Sequence, residues 1–218
     1  MNPRKAIVAG ATGLVGTHLT DQLLAEPIYE KVILLTRKPL AISHPKIEQV
    51  IVNFDYADPV SLPLEADDIY CALGTTIRKA GSQAAFRKVD HDYVLNLAKY
   101  AVSIKAKRFL VVSAMGANPS SRIFYNRVKG EMEKSVSAAG VPEVHIFRPS
   151  LILGKRKEFR FGENIAQKVA GGLRFLFVGP LKNYRPIRAQ TIAGAMTKAA
   201  QTDKPGVSIY PSGLMQNM

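Results

Sequence analysis

Three polar residues in the middle of the chain have types and a spacing that could support proton transfer. Tyr125 and Lys129 lie four residues apart, so on a helix both side chains project from one face. Ser113 comes twelve residues before Tyr125, at the end of an apolar run. A lysine ammonium would stabilise the phenolate of the tyrosine, whose hydroxyl could exchange a proton with a carbonyl oxygen held by Ser113. The set predicts an acid–base site, although an amphipathic helix with an exposed tyrosine has the same Tyr–Lys spacing.

A second group of residues, near the start of the chain, suits phosphate binding. Three glycines, Gly10, Gly13 and Gly16, follow a short apolar run and open a helical pattern. Glycine there allows a tight turn and close approach of the backbone to a pyrophosphate, while the helix start offers free N–H groups. The three glycines of this segment, Gly10, Gly13 and Gly16, are predicted to bind the phosphates of a dinucleotide.

The second apolar run ends in a basic pair, Arg37 and Lys38, and no carboxylate lies between Lys31 and Ile47. Sites for NAD usually place a carboxylate here for the ribose hydroxyls, whereas an arginine suits the 2′-phosphate of NADP. The pair therefore predicts NADP rather than NAD, the alternative being an exposed basic turn. Contacts on the adenine side are predicted after the next two strands, at Asp55, Leu73 and Gly74.

Positioning these residues requires strands that alternate with helices, and the apolar pattern predicts both. Strands are predicted over 5–9, 31–36, 47–54, 68–73, 108–113, 143–147 and 207–210. Helices are predicted over 13–26, 82–104, 120–139, 163–172 and 191–200. This alternation indicates an α/β fold with a doubly wound parallel sheet of the Rossmann type. We expect one domain over residues 1–218, in which 151–188 form a region that covers substrate or cofactor.

Composition excludes several classes of protein. The 218 residues are 47% hydrophobic, which is enough apolar surface to build a core rather than a disordered chain. The one cysteine, Cys71, excludes an internal disulfide framework and is expected to be a buried core residue, and the four histidines show no metal-ligand spacing. No apolar run is long enough for a membrane helix, and the early glycines interrupt any signal-peptide core. A cytoplasmic location without membrane attachment is the expectation.

The chain carries a net charge of +13, and the excess is concentrated towards its end. Residues 141–218 contain 12 Lys and Arg against 4 Asp and Glu, including a basic run over 155–160. Such a field favours anionic cofactors or substrates. Nucleic acid is a weaker alternative, because the interleaved aromatic residues of a stacking surface are missing.

Taken together, these motifs resemble those of the short-chain dehydrogenase/reductases. The segments 71–76, 79–81, 89–95, 124–131 and 147–149 are similar to the atypical branch typified by the Tat-interacting protein, an NADPH-binding oxidoreductase homologue. One departure is Asp90, which stands where epimerase-like members carry asparagine. The cofactor contacts that the resemblance implies are Thr12, Gly13, Leu14, Val15, Arg37, Lys38, Leu73, Gly74, Tyr125, Lys129, Ile152 and Arg160.

Three functions remain open at this point. The first is an NADP(H)-dependent oxidoreductase that acts on a carbonyl or alcohol with Ser113, Tyr125 and Lys129. The second is a non-catalytic protein that senses NADPH and acts through a protein partner, because neither fold nor cofactor establishes turnover. The third is a nucleic-acid binder. The Ser–Tyr–Lys set favours the enzyme, since a sensor has no need of an acid–base pair.

Overall fold

A parallel sheet of seven strands forms the centre of the molecule. The computed structural model describes residues 3–55, 64–154 and 185–218. Its strands are β1 (Arg4–Ala9), β2 (Tyr29–Thr36), β3 (Ile47–Ile51), β4 (Asp68–Cys71), β5 (Arg108–Val112), β6 (Glu143–Arg148), β7 (Ile152–Leu153), β8 (Ile187–Arg188) and β9 (Gly206–Pro211). The main sheet has the order β3-β2-β1-β4-β5-β6-β9, with every neighbouring pair parallel, while β7 and β8 pair separately. The predicted doubly wound α/β fold is confirmed.

Helices cover both faces of this sheet. They are α1 (Leu14–Ala25), α2 (Ile77–Ala80), α3 (Gln83–Arg87), α4 (Tyr93–Ser103), α5 (Phe124–Ser137), α6 (Ala189–Ala199) and α7 (Ser212–Met215). Helices α1 and α6 pack on one face, and α4 and α5 pack on the other. The inner strands are therefore buried on both sides, which explains their continuous apolar sequences. Within the described ranges, no helix is long and apolar enough to cross a bilayer.

Several elements differ from the sequence prediction, among them the helix predicted over 120–139, which begins at Phe124. The third strand ends at Ile51 instead of residue 54, because the Asn53 side chain accepts a hydrogen bond from the Asp55 N–H and turns the chain. The helix predicted over 82–104 contains a π turn at Lys88–Asp92 between α3 and α4. The helix predicted over 163–172 lies outside the described residues. Cys71 is a fully buried core residue, as predicted, and burial raises the pKa of its thiol to about 12.

The strand order brings the predicted site residues to one edge. The glycine loop follows β1, Arg37 follows β2, Leu73 follows β4 and Ser113 follows β5. Neighbouring parallel strands end side by side, and ligands of such sheets bind at their carboxyl ends.

The opposite edge, at the amino ends of the strands, carries a buried charge network. There Arg108 bonds Asp68 at 3.1 Å and Glu143 at 3.0 Å, and all three side chains are buried.

His145, in the centre of β6, makes the stability of the fold depend on pH. It is fully buried and shares a hydrogen bond with the Tyr210 hydroxyl at 2.9 Å. Burial lowers the pKa of His145 below its usual 6.5, although Glu143 opposes this. The unfolded chain therefore binds a proton that the folded chain does not, and we expect the free energy of unfolding to fall as the pH drops from about 7 to about 5. Denaturant titrations at both pH values measure this. His145→Gln should lose less stability over that interval, and an equal loss in both proteins would contradict the assignment.

Candidate functional site

The loop that joins β1 to α1 forms a backbone cradle. Gly10 has φ +90°, and a Cβ there would lie 2.6 Å from the Ala72 carbonyl carbon. A Cβ on Gly16 would lie 2.0 Å from the Gly10 oxygen, so the first helical turn packs directly on the loop. Gly13 caps α1 without a side-chain hydrogen bond, and the first turn contains no acidic residue. The exposed Thr12 and Gly13 thus border a helix N-terminus whose free N–H groups suit an anion.

A second contact links this loop to the segment that follows β6. The Leu14 side chain packs against Gly154, where a Cβ would lie 2.7 Å from Leu14 Cδ1. Ile152, on β7, packs against the same apolar core as Leu14, while Val15 is buried within that core. The loop and the start of the predicted covering region are therefore in contact. Arg160 and the basic run over 155–160 lie outside the described residues.

Arg37 and Lys38 are both exposed directly after β2, where an anionic group could reach them. The residue before them, Thr36, is buried, and its hydroxyl has no hydrogen-bond partner in the described segments. At the end of the neighbouring strand, the exposed Asp55 accepts a hydrogen bond from the Tyr93 hydroxyl and lies 2.9 Å from Lys88 Nζ. Asp55 thus connects the β3 loop to α4 and the π turn, a partner set that the sequence prediction did not include.

Tyr125 and Lys129 lie on successive turns of α5, as predicted. The half-buried ring of Tyr125 packs on Phe86, with ring centroids 5.5 Å apart. Lys129 is buried, at 4% exposure. Gly130 allows α5 to approach the loop after β5, because a Cβ there would lie 2.2 Å from the Asn118 carbonyl carbon. Close helix–loop packing therefore positions the Tyr–Lys pair.

The ammonium of Lys129 has a carboxylate partner. Lys129 Nζ lies 2.8 Å from Asp90 Oδ1, and Asp90 is also buried. Burial by itself would lower the pKa of Lys129, but the charge of Asp90 and a smaller interaction with Tyr125 outweigh it and raise that pKa above 10.5. The other Asp90 oxygen accepts a hydrogen bond from the Thr75 N–H at 2.8 Å. Thr75 follows the predicted cofactor contacts, of which Leu73 is half-buried and Gly74 exposed.

Ser113 is buried at the end of β5, and its hydroxyl donates to Glu133 Oε1 on α5 at 2.5 Å. Arg148, at the end of β6, binds both oxygens of Glu133. Because its proton points to the carboxylate, the Ser113 oxygen offers lone pairs and would accept a hydrogen bond from a substrate rather than donate one. The expected hydrogen bond from Ser113 to a substrate carbonyl would therefore require the bond to Glu133 to break.

The structure adds two partners of the predicted site residues: Glu133, which the sequence analysis did not name, and Asp90, which it named only as a departure from epimerase-like members. Glu133 lies four residues after Lys129 and eight after Tyr125, so the helical period alone places it on their face. Asp90 gave no such signal, because the segment 88–92 around it is mostly polar and does not predict a buried carboxylate. Its partner is 39 residues away, and no local pattern contains that pairing.

Comparison with known proteins gives a consistent result. The profile of a family described as NAD(P)H-binding matches residues 10–152. The rat protein HTATIP2 is 35% identical over 177 residues, which are 79% of this chain and 73% of that protein. The protein fmp52, mitochondrial, of Emericella nidulans is 37% identical over 171 residues, 75% of this chain and 73% of that protein. The resemblance to NAD(P)H-binding oxidoreductase homologues that the motifs indicated is thereby confirmed.

Solved structures support the fold. The Bordetella bronchiseptica enzyme WbmH, solved in complex with NAD+, superimposes with a TM-score of 0.74 at 15% identity. The match covers 97% of this chain and 77% of WbmH. At this level of identity the likeness concerns the Rossmann architecture alone.

One expectation from the sequence is wrong. A cytoplasmic location was predicted because no targeting segment was visible, whereas the fungal relatives carry the designation mitochondrial in their names. Absence of a recognisable targeting pattern was a poor guide, since composition and apolar runs say little about destination.

Proposed function

This chain belongs to the NAD(P)H-binding family, and on that premise we propose that it is an NADP(H)-dependent oxidoreductase acting on a carbonyl or alcohol. The observation that carries the proposal is the Tyr125–Lys129 pair, in which a buried ammonium lies on the same helical face as a half-buried phenol. The pair lies on the helix that follows β5, close to the sheet edge where the glycine loop also lies. That combination suits proton transfer beside a bound dinucleotide.

The residues at this edge fit the cofactor. A Cβ at Gly10 or Gly16 would clash with neighbouring backbone, so these glycines allow the tight loop whose N–H groups would face a pyrophosphate. The exposed Arg37 and Lys38 would hold a 2′-phosphate. The Thr36 hydroxyl beside them, which has no hydrogen-bond partner among the described residues, supports a polar group at that place. Lys129 would hold the nicotinamide ribose, and Leu73, Gly74 and Ile152 would line the cofactor. When bound, the cofactor supplies or accepts the hydride.

In the reductive direction, Tyr125 Oη would donate its proton to the substrate oxygen as the carbonyl carbon gains hydride, so that an alcohol forms. The Lys129 ammonium would stabilise the phenolate left on Tyr125. In the oxidative direction the phenolate would take the alcohol proton. Because the alcohol has only this one hydroxyl proton, Ser113 could bind the substrate oxygen only by turning its own proton away from Glu133 towards that oxygen.

The substrate is proposed to be a small molecule, and the basic excess of residues 141–218 favours an anionic one. Residues 151–188 are proposed to cover it. From the names of the fungal relatives we also infer a mitochondrial location, which fractionation of cells that express the tagged chain would test.

Cofactor preference provides the first test. We expect Arg37→Ala to weaken NADPH binding by about 1.5–3 kcal/mol, roughly 10- to 150-fold, because a charge-assisted bond to phosphate is lost. Binding of NADH, which lacks that phosphate, should change little. Titration of the fluorescence of each cofactor measures both affinities.

The matched control is Lys31→Ala, which removes a cation from the other end of β2. Lys31 pairs with Glu48 at 2.7 Å on the surface, so both cofactor affinities should stay close to those of the wild type. Equal weakening of NADPH and NADH by Arg37→Ala would overturn the assignment of the 2′-phosphate site. Tight NADPH binding without oxidation by any aldehyde, ketone or quinone would favour the cofactor-sensing alternative over the enzyme.

A further inference from the structure

Asp90 is a buried carboxylate whose two oxygens serve two different parts of the predicted site. Its exposure is 1%, and a buried carboxylate without compensation is costly. Oδ1 lies 2.8 Å from Lys129 Nζ on α5, and Oδ2 accepts the Thr75 N–H from the loop after β4. The carboxylate thus joins the lysine to the loop that carries Leu73 and Gly74.

A local irregularity of the helix positions this carboxylate. Asp90 is the third residue of the π turn Lys88–Asp92, in which the Tyr93 N–H bonds the Lys88 carbonyl. A π turn inserts one residue into the helical repeat and changes the direction of the side chains around it, and such turns are frequent at functional sites. On the other side of the carboxylate, the loop after β4 lies close to Asp90, since a Cβ on Gly74 would lie 3.4 Å from Asp90 Oδ1.

Among the ionisable groups that surround Lys129, Asp90 is the one that compensates the positive charge of the ammonium. Those that interact with Lys129 are Asp90 from the π turn, Tyr125 from its own helix and Cys71 from β4. Burial raises the pKa of the Cys71 thiol to about 12, so that thiol is neutral. The neighbouring His91 faces Asp92 and Ser135 instead. Within the described ranges, Asp90 is the carboxylate that forms an ion pair with Lys129.

We propose that Asp90 is a positioning residue that keeps Lys129 charged and fastens its ammonium to the loop after β4. The role rests on the proposed NADP(H) site, in which Lys129 holds the ribose and stabilises the Tyr125 phenolate. Asp90 touches neither substrate nor cofactor in this role. It acts through Lys129: because one carboxylate binds both the Lys129 ammonium and the Thr75 N–H, a shift of the loop after β4 would also shift the ammonium.

The test compares the melting temperatures of single and double variants of the whole chain without cofactor. It shows whether the Asp90–Lys129 ion pair stabilises the protein, even if the proposed function fails. Asp90→Asn keeps the shape and an acceptor for the Thr75 N–H but leaves a buried ammonium without a counter-charge. We expect the melting temperature at pH 7 to fall by roughly 6–20 °C. The double variant Asp90→Asn/Lys129→Met removes both charges and should recover most of that loss.

The pH dependence separates charge compensation from a merely structural role. In Asp90→Asn the pKa of Lys129 falls below that of the unfolded chain, so the unfolded state binds more protons and stability should recover as the pH rises from about 7 to about 10. The double variant should lack this recovery. Asp92→Asn is the matched control, because its exposed carboxylate pairs with His91, and it should melt close to the wild type.

Two outcomes would overturn the proposal. One is an Asp90→Asn protein that melts within a few degrees of the wild type with an unchanged pH profile. The other is a double variant that is as unstable or as unfolded as the single one.

Titration with NADPH in parallel should show weaker binding for Asp90→Asn and unchanged binding for Asp92→Asn. A wild type that binds no NADPH would refute the proposed function while the melting cycle still decides the role of Asp90.

Discussion

Replacing Tyr125 with phenylalanine is expected to lower the rate of hydride transfer by roughly 10²–10⁴-fold, the usual contribution of a general acid. The change removes one hydroxyl and keeps the ring, so packing on Phe86 should persist. Affinity for NADPH should change little, because the glycine loop and Lys129 do not depend on that hydroxyl. The measurement is NADPH oxidation with aldehydes, ketones and quinones, with cofactor binding followed in parallel.

Tyr100→Phe supplies the control for the loss of a tyrosine hydroxyl. Tyr100 is buried near the carboxyl end of α4, and its hydroxyl forms a hydrogen bond with the Leu64 backbone. Loss of that hydroxyl should leave the rate unaltered. A Tyr125→Phe protein that turns over substrate as fast as the wild type would exclude Tyr125 as the acid. In that case the assignment of Ser113, Tyr125 and Lys129 would fail together, since the proposed catalytic roles of Ser113 and Lys129 depend on proton transfer by Tyr125.

The second large effect concerns stability and lies at the opposite edge of the sheet. Arg108 is 1% exposed and binds Asp68 on β4, Glu143 on β6 and Asp203 before β9. Arg108→Met would remove the buried cation that bonds both Asp68 and Glu143, and would leave them with longer contacts such as those to Arg4 at 3.7 Å and Lys107 at 3.6 Å. The loss should lower the free energy of unfolding by about 3–5 kcal/mol. Urea or guanidinium titration measures the change.

A surface ion pair provides the comparison. Lys31→Met breaks the half-exposed pair with Glu48, which should cost less than about 1 kcal/mol. Adding Asp68→Asn to Arg108→Met removes one of the two buried carboxylates that lose their bond to Arg108, and it should restore part of the stability. If Arg108→Met unfolds at the same denaturant concentration as the wild type, the network does not stabilise the sheet. None of these residues lies at the carboxyl ends of the strands. We therefore expect each variant to lose activity only in proportion to the fraction of protein that is unfolded.

Several features of the fold are readable from short stretches of the chain. The runs that became β1, β2 and β5 are continuously apolar because both faces of an inner parallel strand are buried. The glycine loop is equally local, since Gly10 needs a positive φ and Gly16 must pack on Gly10 within the same turn. The Tyr125–Lys129 spacing follows from the helical period alone.

Other features escaped this reading because their causes are weak or distant in sequence. The third strand stops at Ile51 through one side-chain hydrogen bond of Asn53, a signal that the apolar pattern of residues 47–54 conceals. The π turn at Lys88–Asp92 differs from an α-helical turn by one residue, and hydrophobic periodicity over a long segment does not resolve that difference.

The sequence by itself determined the class of the fold, the tight glycine loop after β1 and the shared helical face of the Tyr–Lys pair, because each depends on residues within one strand, turn or helix. Tertiary structure alone decided what those residues contact. Lys129 meets Asp90 only because α5 packs against the π turn, and Ser113 donates to Glu133 only because β5 and β6 end beneath that helix. Pairings of this kind join residues that lie far apart in the chain, so their geometry arises from packing and from the cost of leaving a buried charge without a partner.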